Sequence, residues 1–269
     1  MNATVFERIC SLVYDEAGIR IREGKESMVA SRLGKRIRAL GLGDETEYLE
    51  FLERELRNEV VALLDVISTN VTSFFREAEH FGVLAGIHRA AVKSGRKRIR
   101  YWCAASSSGE EPYTIAMTLR EVERELGASV DTKLLATDIS TRVLEAARQG
   151  VYSASKVDGI PDPLLRRYFV READSGAVVH RATPEIAELV VFSRLNLSQP
   201  PFPMHGPLEA IFCRNVMFYF DDPVRHGVID ECHRLLAPSG TLFVGKSESL
   251  PSGRTDFARV GSSVFRKIG

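Results

Sequence analysis

Short apolar runs alternate with amphipathic helical patterns after residue 97, and this alternation limits the fold more than any other feature of the chain. Runs rich in β-branched and aromatic residues predict strands at 98–103, 132–137, 190–195, 208–213, 241–245 and 263–267. Apolar residues at helical spacing between several of these runs predict helices at 112–126, 141–149 and 223–236. Strands joined by helices form parallel sheets that are covered on both faces. We therefore expect an α/β fold with a doubly wound, mostly parallel sheet.

The first 70 residues carry a different pattern. Phe6, Ile9 and Val13 recur at helical spacing, and similar series follow them along this part of the chain. The change of pattern predicts a helical N-terminal domain at 1–70, followed by the α/β domain at 71–269.

The strand and helix alternation is interrupted at about residues 164–189. Two apolar runs flank a polar turn at 172–176 there. Because two short runs joined by a turn are typical of an antiparallel hairpin, we expect a small inserted antiparallel β-subdomain in the α/β domain.

Composition and charge exclude several classes of protein. Lys and Arg together number 36, as do Asp and Glu, so no overall field attracts nucleic acid. The four cysteines have no C-x-x-C spacing, which is typical of reduced thiols rather than of disulfides or metal ligands. No apolar run approaches the roughly 20 residues that span a bilayer, and the N-terminus has no signal-peptide pattern. We expect a cytoplasmic protein with no metal site, no nucleic-acid partner and no direct membrane insertion.

A loop of small residues follows the first predicted strand and ends at Gly109, Glu110 and Glu111. In a doubly wound sheet, ligands bind beyond the carboxyl ends of the strands, where small side chains let a nucleotide approach the backbone. The loop lacks the G-x-G-x-x-G pattern, and two acids at the start of the next helix would repel a pyrophosphate, which disfavours a nicotinamide dehydrogenase. A ligand with sulfonium and ammonium groups fits better. The alternative is that both glutamates only complement the helix dipole.

Asp138 follows the second predicted strand. A carboxylate at this position can accept hydrogen bonds from both hydroxyls of an adenosine ribose. The alternative is an ordinary N-cap for the helix predicted at 141–149, and the residue alone does not separate the two.

Polar residues also follow the strand predicted to end at Cys213. Arg214, Asn215 and Tyr219 would face the ligand crevice and supply hydrogen-bond donors in an otherwise apolar wall. The alternative for Tyr219 is a packed aromatic ring whose hydroxyl reaches solvent.

Asn70 and Thr72 precede the sheet in a segment that ends in two phenylalanines, an arginine and a glutamate. They can belong to the ligand site, or they can shape a turn and cap the next helix while the phenylalanines enter the core.

Five segments stand in one order along most of the chain: Thr69-Asn70-Val71-Thr72-Ser73-Phe74-Phe75-Arg76-Glu77, Ser107-Ser108-Gly109-Glu110-Glu111-Pro112-Tyr113, Ala136-Thr137-Asp138-Ile139, Cys213-Arg214-Asn215-Val216-Met217-Phe218-Tyr219-Phe220 and Gly245-Lys246-Ser247-Glu248-Ser249. Together they resemble the CheR-type chemotaxis receptor methyltransferases, which are glutamate O-methyltransferases. The resemblance implies a Rossmann-like S-adenosylmethionine methyltransferase sheet, a helical N-terminal domain and a small inserted antiparallel β-subdomain. It also implies S-adenosylmethionine as the cofactor and S-adenosylhomocysteine as its product.

The activity that the resemblance implies is methylation of glutamate side-chain carboxylates in the cytoplasmic helical region of chemotaxis receptors, which gives methyl esters. Arg76 and Tyr219 match the family residues beside the reacting groups and are the predicted catalytic residues. Glu110 competes with Glu111 for one cofactor contact. The cofactor contacts implied by the match are Asn70, Thr72, Arg76, Glu111, Asp138, Asn196, Leu197, Arg214 and Asn215.

A basic face is predicted on the helix at 25–40. Lys25, Arg32 and Arg36 lie opposite its apolar residues, and similar basic helices in the family meet acidic receptor helices. The alternative is a solvated charged face without a partner.

Two departures from the family pattern stand in the sequence. Lys246 replaces the histidine that is usual in the Gly-His-Ser-Glu segment. Gly176 is the only glycine at 166–181, where members that bind a receptor's C-terminal peptide have glycine-rich loops, so this tethering is left open. A methyltransferase of the same fold acting on another acceptor, and a non-catalytic module that senses cofactor or docks partners, are the alternative functions.

Overall fold

The computed structural model describes residues 1–174 and 176–268. The chain begins with a helical bundle whose amphipathic helices turn their apolar faces to one core that includes Ile9, Val29, Leu33, Tyr48 and Leu63. The helical N-terminal part is therefore confirmed. Its helices are α1 (Ala3–Ala17), α2 (Glu26–Leu40), α3 (Glu45–Arg54) and α4 (Leu56–Ile67).

Helix α1 ends in a left-handed glycine that also brings the bundle against the rest of the molecule. Gly18 has φ of 66°, and its backbone N–H donates to the Tyr14 carbonyl oxygen. A Cβ at this position would lie 2.7 Å from Ser198 Cβ. On either side of it, Asn196 Nδ2 donates to the Glu16 carbonyl at 2.7 Å, and the Arg20 N–H donates to the Tyr219 carbonyl at 2.8 Å. The end of α1 is thus fixed beside the predicted site residues.

The second part of the chain forms a seven-stranded sheet with the order β6-β2-β1-β7-β8-β10-β9. Strands β6, β2, β1, β7 and β8 pair in parallel, and β10 runs antiparallel to β8 and β9. The doubly wound, mostly parallel sheet is confirmed. Its elements are α5 (Glu79–Lys93), β1 (Arg98–Cys103), α6 (Glu110–Glu125), β2 (Asp131–Asp138), α7 (Thr141–Gln149), β6 (Val190–Arg194), β7 (Leu208–Phe212), α11 (Asp222–Leu235), β8 (Leu236–Phe243), β9 (Phe257–Gly261) and β10 (Val264–Lys267).

Both faces of the central strands are buried, which explains their near-continuous apolar sequences. Tyr101 and Phe212 face the side that α5 and α6 cover. Their chain neighbours Trp102 and Ile211 face the side that α11 covers. From β1 the chain continues to β2 and β6 on one side of the sheet and then returns to β7 on the other. This reversal leaves a crevice beyond the carboxyl ends of β1 and β7, where ligands bind in such sheets.

A three-stranded antiparallel sheet, with the order β3-β5-β4, is inserted between α7 and β6, so the small antiparallel subdomain is confirmed. Its strand β3 precedes the range of 164–189 predicted for the insertion, because three residues are too few to show alternation. Ser175, in the predicted turn, and Gly269, at the end of the predicted second domain, lie outside the described residues. The elements are β3 (Val151–Ser153), α8 (Ala154–Val157), α9 (Asp162–Tyr168), β4 (Phe169–Asp174), β5 (Ala177–Ala182) and α10 (Pro184–Ala187).

Phe74 connects this small sheet to the main body. Its ring packs edge-on against Tyr152, with centroids 5.0 Å apart, and against Phe169, with centroids 5.6 Å apart. Phe74 is therefore buried in the core and Phe75 packs against it, as one alternative for that segment predicted.

Near the C-terminus of the chain, the start of one strand was predicted wrongly and another strand was not predicted. Strand β8 begins at Leu236, the last residue of the helix predicted at 223–236 and well before the strand predicted at 241–245, and its register with β7 shifts between Leu208 and Ala210. The shift accommodates Ser239, which has φ of 62°, so turn-forming residues lie within a strand. Strand β9 was not predicted, because it lies at the sheet edge and most of its residues are exposed.

Within residues 1–174 and 176–268, no helix has the length and hydropathy to cross a bilayer.

Candidate functional site

A cleft opens where β1, β2 and β7 end, and the segment after α4 and the end of α1 complete its walls. Its empty volume is ≈ 910 Å³ when counted out to its open mouth. All of the predicted cofactor contacts and both predicted catalytic residues line it: Asn70, Thr72, Arg76, Glu111, Asp138, Asn196, Leu197, Arg214, Asn215 and Tyr219.

The loop after β1 forms the floor of the cleft and is closely fixed. The Ser107 N–H donates to Asp138 Oδ2 at 2.9 Å, and its hydroxyl donates to the Asn70 carbonyl at 3.1 Å. Gly109, with φ of 97°, admits no side chain, because a Cβ there would lie 2.6 Å from the Tyr152 hydroxyl oxygen. The small residues of this loop leave room for a ligand against the backbone, as the sequence predicted.

Asp138 lies at the end of β2 with both carboxylate oxygens turned to backbone donors. Besides the bond from Ser107, Oδ1 accepts from the Ser140 N–H at 3.0 Å. Helix α7 is capped by Ser140, whose hydroxyl accepts from the Val143 N–H, so the capping alternative for Asp138 is wrong. Burial raises the pKa of Asp138, and the backbone N–H bonds oppose the rise. Each oxygen keeps a further lone pair that can accept a ribose hydroxyl.

Arg214 is buried between two carboxylates on the opposite wall. Its Nη1 lies 2.8 Å from Glu111 Oε2, its Nη2 lies 3.1 Å from Glu77 Oε2, and its side chain has 0% exposure. The same Nη2 donates to the Arg76 carbonyl oxygen at 2.6 Å. Arg214 thus joins a carboxylate that lines the cleft, Glu111, to one that supports the wall from behind, Glu77.

The pKa values of the two carboxyls shift in opposite directions. Burial raises the pKa of Glu111, and Arg214 only partly opposes this. Burial also acts to raise the pKa of Glu77, but Arg214 and the Lys246 N–H outweigh it, so the pKa of Glu77 is lowered. Of the two carboxyls, Glu77 therefore keeps its negative charge to lower pH than Glu111 does.

Of the two competing glutamates, only Glu111 lines the cleft. Glu110 points elsewhere, accepting from the Ser108 hydroxyl at 2.7 Å and pairing with Lys156 Nζ at 2.8 Å. The geometry favours Glu111 as the cofactor contact. Both glutamates also lie in the first turn of α6, where they can complement the helix dipole, so that alternative stays open.

Two buried donors in the cleft wall have no hydrogen-bond partner among the described residues: Asn70 Nδ2 and Arg214 Nε. Buried donors are rarely left unpaired. The methionine part of S-adenosylmethionine carries a carboxylate that can accept such bonds and an ammonium that can donate to the Glu111 carboxylate in the cleft wall. With Asp138 available for the ribose, the residues present fit this cofactor.

The two predicted catalytic residues stand on separate segments of the cleft wall. Tyr219 closes a short 3-10 helix, Met217–Tyr219, and is half-buried; burial raises its pKa. Arg76 Nη1 donates to the Val71 carbonyl at 3.1 Å and so braces the segment that leads into the cleft.

Asn196 is held by protein groups as well as lining the cleft. Its Oδ1 accepts from the Ser198 N–H at 3.0 Å and from the Ser198 hydroxyl at 2.9 Å, while its Nδ2 is bonded to α1. Leu197 beside it is buried and belongs to the core on the α11 side.

The three basic residues predicted for partner binding on α2 lie in different surroundings. Lys25 is exposed at the start of the helix. Arg32 donates to the Ile67 carbonyl and, at 3.0 Å, to the hydroxyl of Thr69, which lines the cleft. Arg36 Nε donates to buried Glu59 at 2.8 Å, so its guanidinium joins α2 to α4. The alternative of a merely solvated face does not describe Arg32 or Arg36.

Glu77 was not predicted as a site residue. It ends the quoted segment before the sheet, and its positive φ of 57° is not visible in the sequence. Its proximity to Arg214, more than a hundred positions away, is produced by the fold alone. The only signal in the sequence was an acid next to Arg76, in a segment that already contained predicted site residues.

Comparison with known proteins gives the same result at the level of whole domains. Residues 70–266 match the model of the CheR methyltransferase, SAM binding domain, and residues 4–68 match that of the CheR methyltransferase, all-alpha domain. The cofactor is therefore S-adenosylmethionine, as the resemblance implied.

Among curated relatives, a chemotaxis protein methyltransferase of Salmonella typhimurium is 41% identical over 97% of this chain and 88% of its own length. Chemotaxis protein methyltransferase 2 of Pseudomonas aeruginosa is 39% identical over 97% of this chain and 91% of its own. A solved TehB-like SAM-dependent methyltransferase from Corynebacterium glutamicum aligns at 12% identity with a TM-score of 0.37, over 71% of this chain and 94% of that one, too weakly to bear on the argument. The two domain matches and the relatives together show that this chain belongs to the CheR methyltransferase family.

Proposed function

We propose that the protein transfers the methyl group of S-adenosylmethionine to glutamate side chains in the cytoplasmic helical region of chemotaxis receptors, and that it does so in the cytoplasm. The products are glutamate methyl esters and S-adenosylhomocysteine. The observation that carries the proposal is that the predicted cofactor contacts and both predicted catalytic residues line one cleft. The relatives, which are chemotaxis protein methyltransferases, support chemotaxis as the setting.

The proposed acceptor, a glutamate carboxylate, is chemically compatible with the polar side chains that line the cleft. A free glutamate has a pKa near about 4.3, so its carboxylate is ionised at neutral pH and needs no general base. Because burial raises the pKa of Tyr219, its phenol stays protonated and acts as a hydrogen-bond donor. A protonated phenol aligns a carboxylate through one oxygen while the other attacks.

When bound, S-adenosylmethionine supplies the methyl group: a C–O bond to the glutamate forms, the C–S bond breaks, and its electron pair remains on sulfur. The residues of this chain hold the two reactants. Asp138 binds the ribose hydroxyls, Asn70 and Arg214 bind the carboxylate of the methionine part, and Glu111 lies with the ammonium. Since opposite charges disappear in the transition state, the rate depends mainly on in-line positioning in a site that excludes water.

Arg76 contributes by orienting the cleft wall rather than by pairing with the substrate. A tight ion pair with the attacking carboxylate would stabilise the ground state more than the transition state, because the oxygen loses charge as it reacts. The bond from Arg76 to the Val71 carbonyl supports the orienting role.

Helix α2 is the proposed contact for the receptor. Lys25 and Arg32 offer positive charge that acidic receptor helices complement, and Arg32 is bonded to Thr69 in the cleft wall. Arg36 belongs to the same proposed surface, but its ion pair with Glu59 leaves only 31% of its side chain exposed. The receptor would therefore approach along α2 towards Thr69 and Tyr219.

The test is transfer of a radiolabelled methyl group from S-adenosylmethionine to receptor cytoplasmic fragments, followed by alkali treatment. Label released as methanol would establish a carboxyl methyl ester. Cofactor binding without transfer to any receptor fragment would favour one of the two alternatives, another acceptor or a non-catalytic sensor. Failure to bind either S-adenosylmethionine or S-adenosylhomocysteine would contradict the proposal altogether.

A further inference from the structure

One carboxylate, that of Glu248, fixes the backbone of the segment that carries Asn215 and Tyr219. It lies in the loop after β8, within the quoted segment at 245–249 that has no assigned role. Its Oε2 accepts from the Asn215 N–H at 2.8 Å and from the Gly245 N–H at 2.7 Å. Its Oε1 accepts from the Met217 N–H at 2.8 Å. Glu248 thus connects the ends of two neighbouring parallel strands, β7 and β8.

These bonds are made at backbone positions that are strained or would otherwise lack a hydrogen-bond partner. Asn215 has φ of 56°, a conformation that L residues other than glycine rarely adopt. Met217 begins the 3-10 helix that ends at Tyr219, and the first N–H groups of a helix have no partner within it. Glu248 pairs with both N–H groups and so stabilises the left-handed residue together with the start of the short helix.

The packing around Glu248 leaves little freedom. A Cβ at Gly245 would lie 2.4 Å from Asn215 Nδ2 and 2.7 Å from Glu248 Oε2. A side chain at position 245 would therefore have to displace the Asn215 amide or the Glu248 carboxylate. The amide of Asn215, the backbone of Gly245 and the carboxylate of Glu248 form one close-packed unit beside the cleft.

We propose that Glu248 is a positioning residue for methyl transfer, which sets the Asn215 amide and the Tyr219 hydroxyl by holding the backbone at 215–217. The inference rests on the proposed function, because the roles of Asn215 and Tyr219 belong to it. Glu248→Gln tests the carboxylate specifically. Whichever way the new amide is turned, its NH2 group faces a backbone N–H and at least one of the three bonds is lost.

The experiment is a double-mutant cycle between Glu248→Gln and Tyr219→Phe, read as kcat at saturating cofactor and receptor fragment. We expect Glu248→Gln alone to lower kcat about 10- to 100-fold, since displacements of about 1 Å have effects of this size. In the Tyr219→Phe background the same change should lower kcat less than about 3-fold, because residues that act together are not additive. Ser249→Ala, an exposed change in the same loop, is the matched control and should leave kcat unaltered.

A purely structural role predicts a different result. If Glu248→Gln folds normally but keeps the kcat of the wild type, or if the two changes multiply fully, the positioning role is wrong. If Glu248→Gln does not fold, Glu248→Asp replaces it in the same cycle, since it keeps the charge but shortens the side chain by one methylene.

The dissociation constant for S-adenosylhomocysteine separates this inference from the proposed function. It should rise about 10-fold in Glu248→Gln through loss of the Asn215 geometry, an effect of roughly one hydrogen bond. If the wild type binds cofactor but methylates no receptor fragment, the proposed function fails while this binding test still decides on Glu248. An unchanged dissociation constant in that case would overturn the inference.

Discussion

The guanidinium of Arg214 lies 2.8 Å from the carboxylate of Glu111, and the arginine side chain has no exposure to solvent. Together with Glu77 the pair forms a buried ionic cluster in the wall of the cofactor cleft. Burying charges is costly, and the cluster is stable only because each charge has a partner. Removing one partner leaves the others uncompensated, so the cluster is a point where folding and cofactor binding depend on the same side chains.

Arg214→Ala should therefore destabilise the fold by about 3–5 kcal/mol, the cost of leaving buried charges unpaired. The measurement is urea unfolding followed by circular dichroism, with Arg166→Ala as the control because the Arg166 side chain is 73% exposed. A loss below about 1 kcal/mol, the size typical of an exposed pair, would contradict the burial of the cluster.

Asp138→Ala should weaken binding of S-adenosylhomocysteine by about 10- to 100-fold, since two charge-assisted hydrogen bonds to the ribose are lost. Calorimetric titration measures the dissociation constant directly. Asp158→Ala removes an exposed aspartate outside the cleft and should leave the constant unaltered. An equal effect in both variants would indicate a general electrostatic origin rather than a ribose contact.

Tyr219→Phe should lower kcat by about 10- to 100-fold, as expected when an aligning group is removed, while cofactor affinity stays within about 2-fold. Because burial raises the pKa of Tyr219, the phenol stays protonated as the pH rises. The wild-type kcat should accordingly not fall between about pH 7 and about pH 9, where a free phenol is still neutral. Full turnover by the phenylalanine variant at saturating substrate would remove the aligning role.

Glu123 should make stability depend on acid pH. Burial acts to raise its pKa, but hydrogen bonds from His88, Thr132 and Arg120 outweigh this and lower it. A carboxyl whose pKa is lower in the folded state stabilises the fold above its unfolded pKa, about 4.3, and this contribution is lost as the pH falls through the folded pKa. The difference in unfolding free energy between wild type and Glu123→Gln should thus shrink from about pH 5 downward.

The matched control for that series is Glu145→Gln, an exposed glutamate on α7. Its difference from the wild type should stay near zero throughout. A difference at Glu123 that stays constant to about pH 3 would mean that the carboxylate form contributes nothing specific there.

Gly18→Ala should destabilise the protein more than Gly41→Ala, although both glycines end a helix in the left-handed region, with φ of 66° and 72°. The backbone strain of about 1–2 kcal/mol is common to both. Only at position 18 does the new Cβ also meet a neighbour, Ser198 Cβ at 2.7 Å, whereas Gly41 has nothing within 4 Å. Thermal unfolding of the two variants isolates the contact between the domains, and equal losses would contradict it.

The sequence predicted those strands whose burial requires apolar residues. Strands β1, β2 and β7 were predicted almost to the residue, because both faces of each central strand require apolar side chains. Strand β6 was predicted as closely, although it lies at a sheet edge and most of its residues are not buried. Strand β9 was not predicted, since an exposed edge strand need not be apolar. The start of β8 was missed because Ser239 takes a turn-like conformation within the strand pairing.

The candidate site was predicted as a set of residues but not as an arrangement. Strand ends meet at one edge of a parallel sheet, so Asp138 and Arg214 were expected at the same crevice. That Glu111 rather than Glu110 faces it depends on the rotation of α6 about its axis. The place of Glu248 depends on how two loops pack, and neither loop carries a periodic pattern that predicts this.

The end of α1 supplies Ala17 and Ile19 to the cleft, and the next N–H in the chain, that of Arg20, is bonded to the Tyr219 carbonyl. A ligand in the cleft therefore touches both domains at once, and its binding energy is shared between holding the cofactor and holding the domains together. If a partner docked on α2 fixes α1 against the cleft and so raises cofactor affinity, then by linkage the cofactor raises affinity for that partner by the same factor.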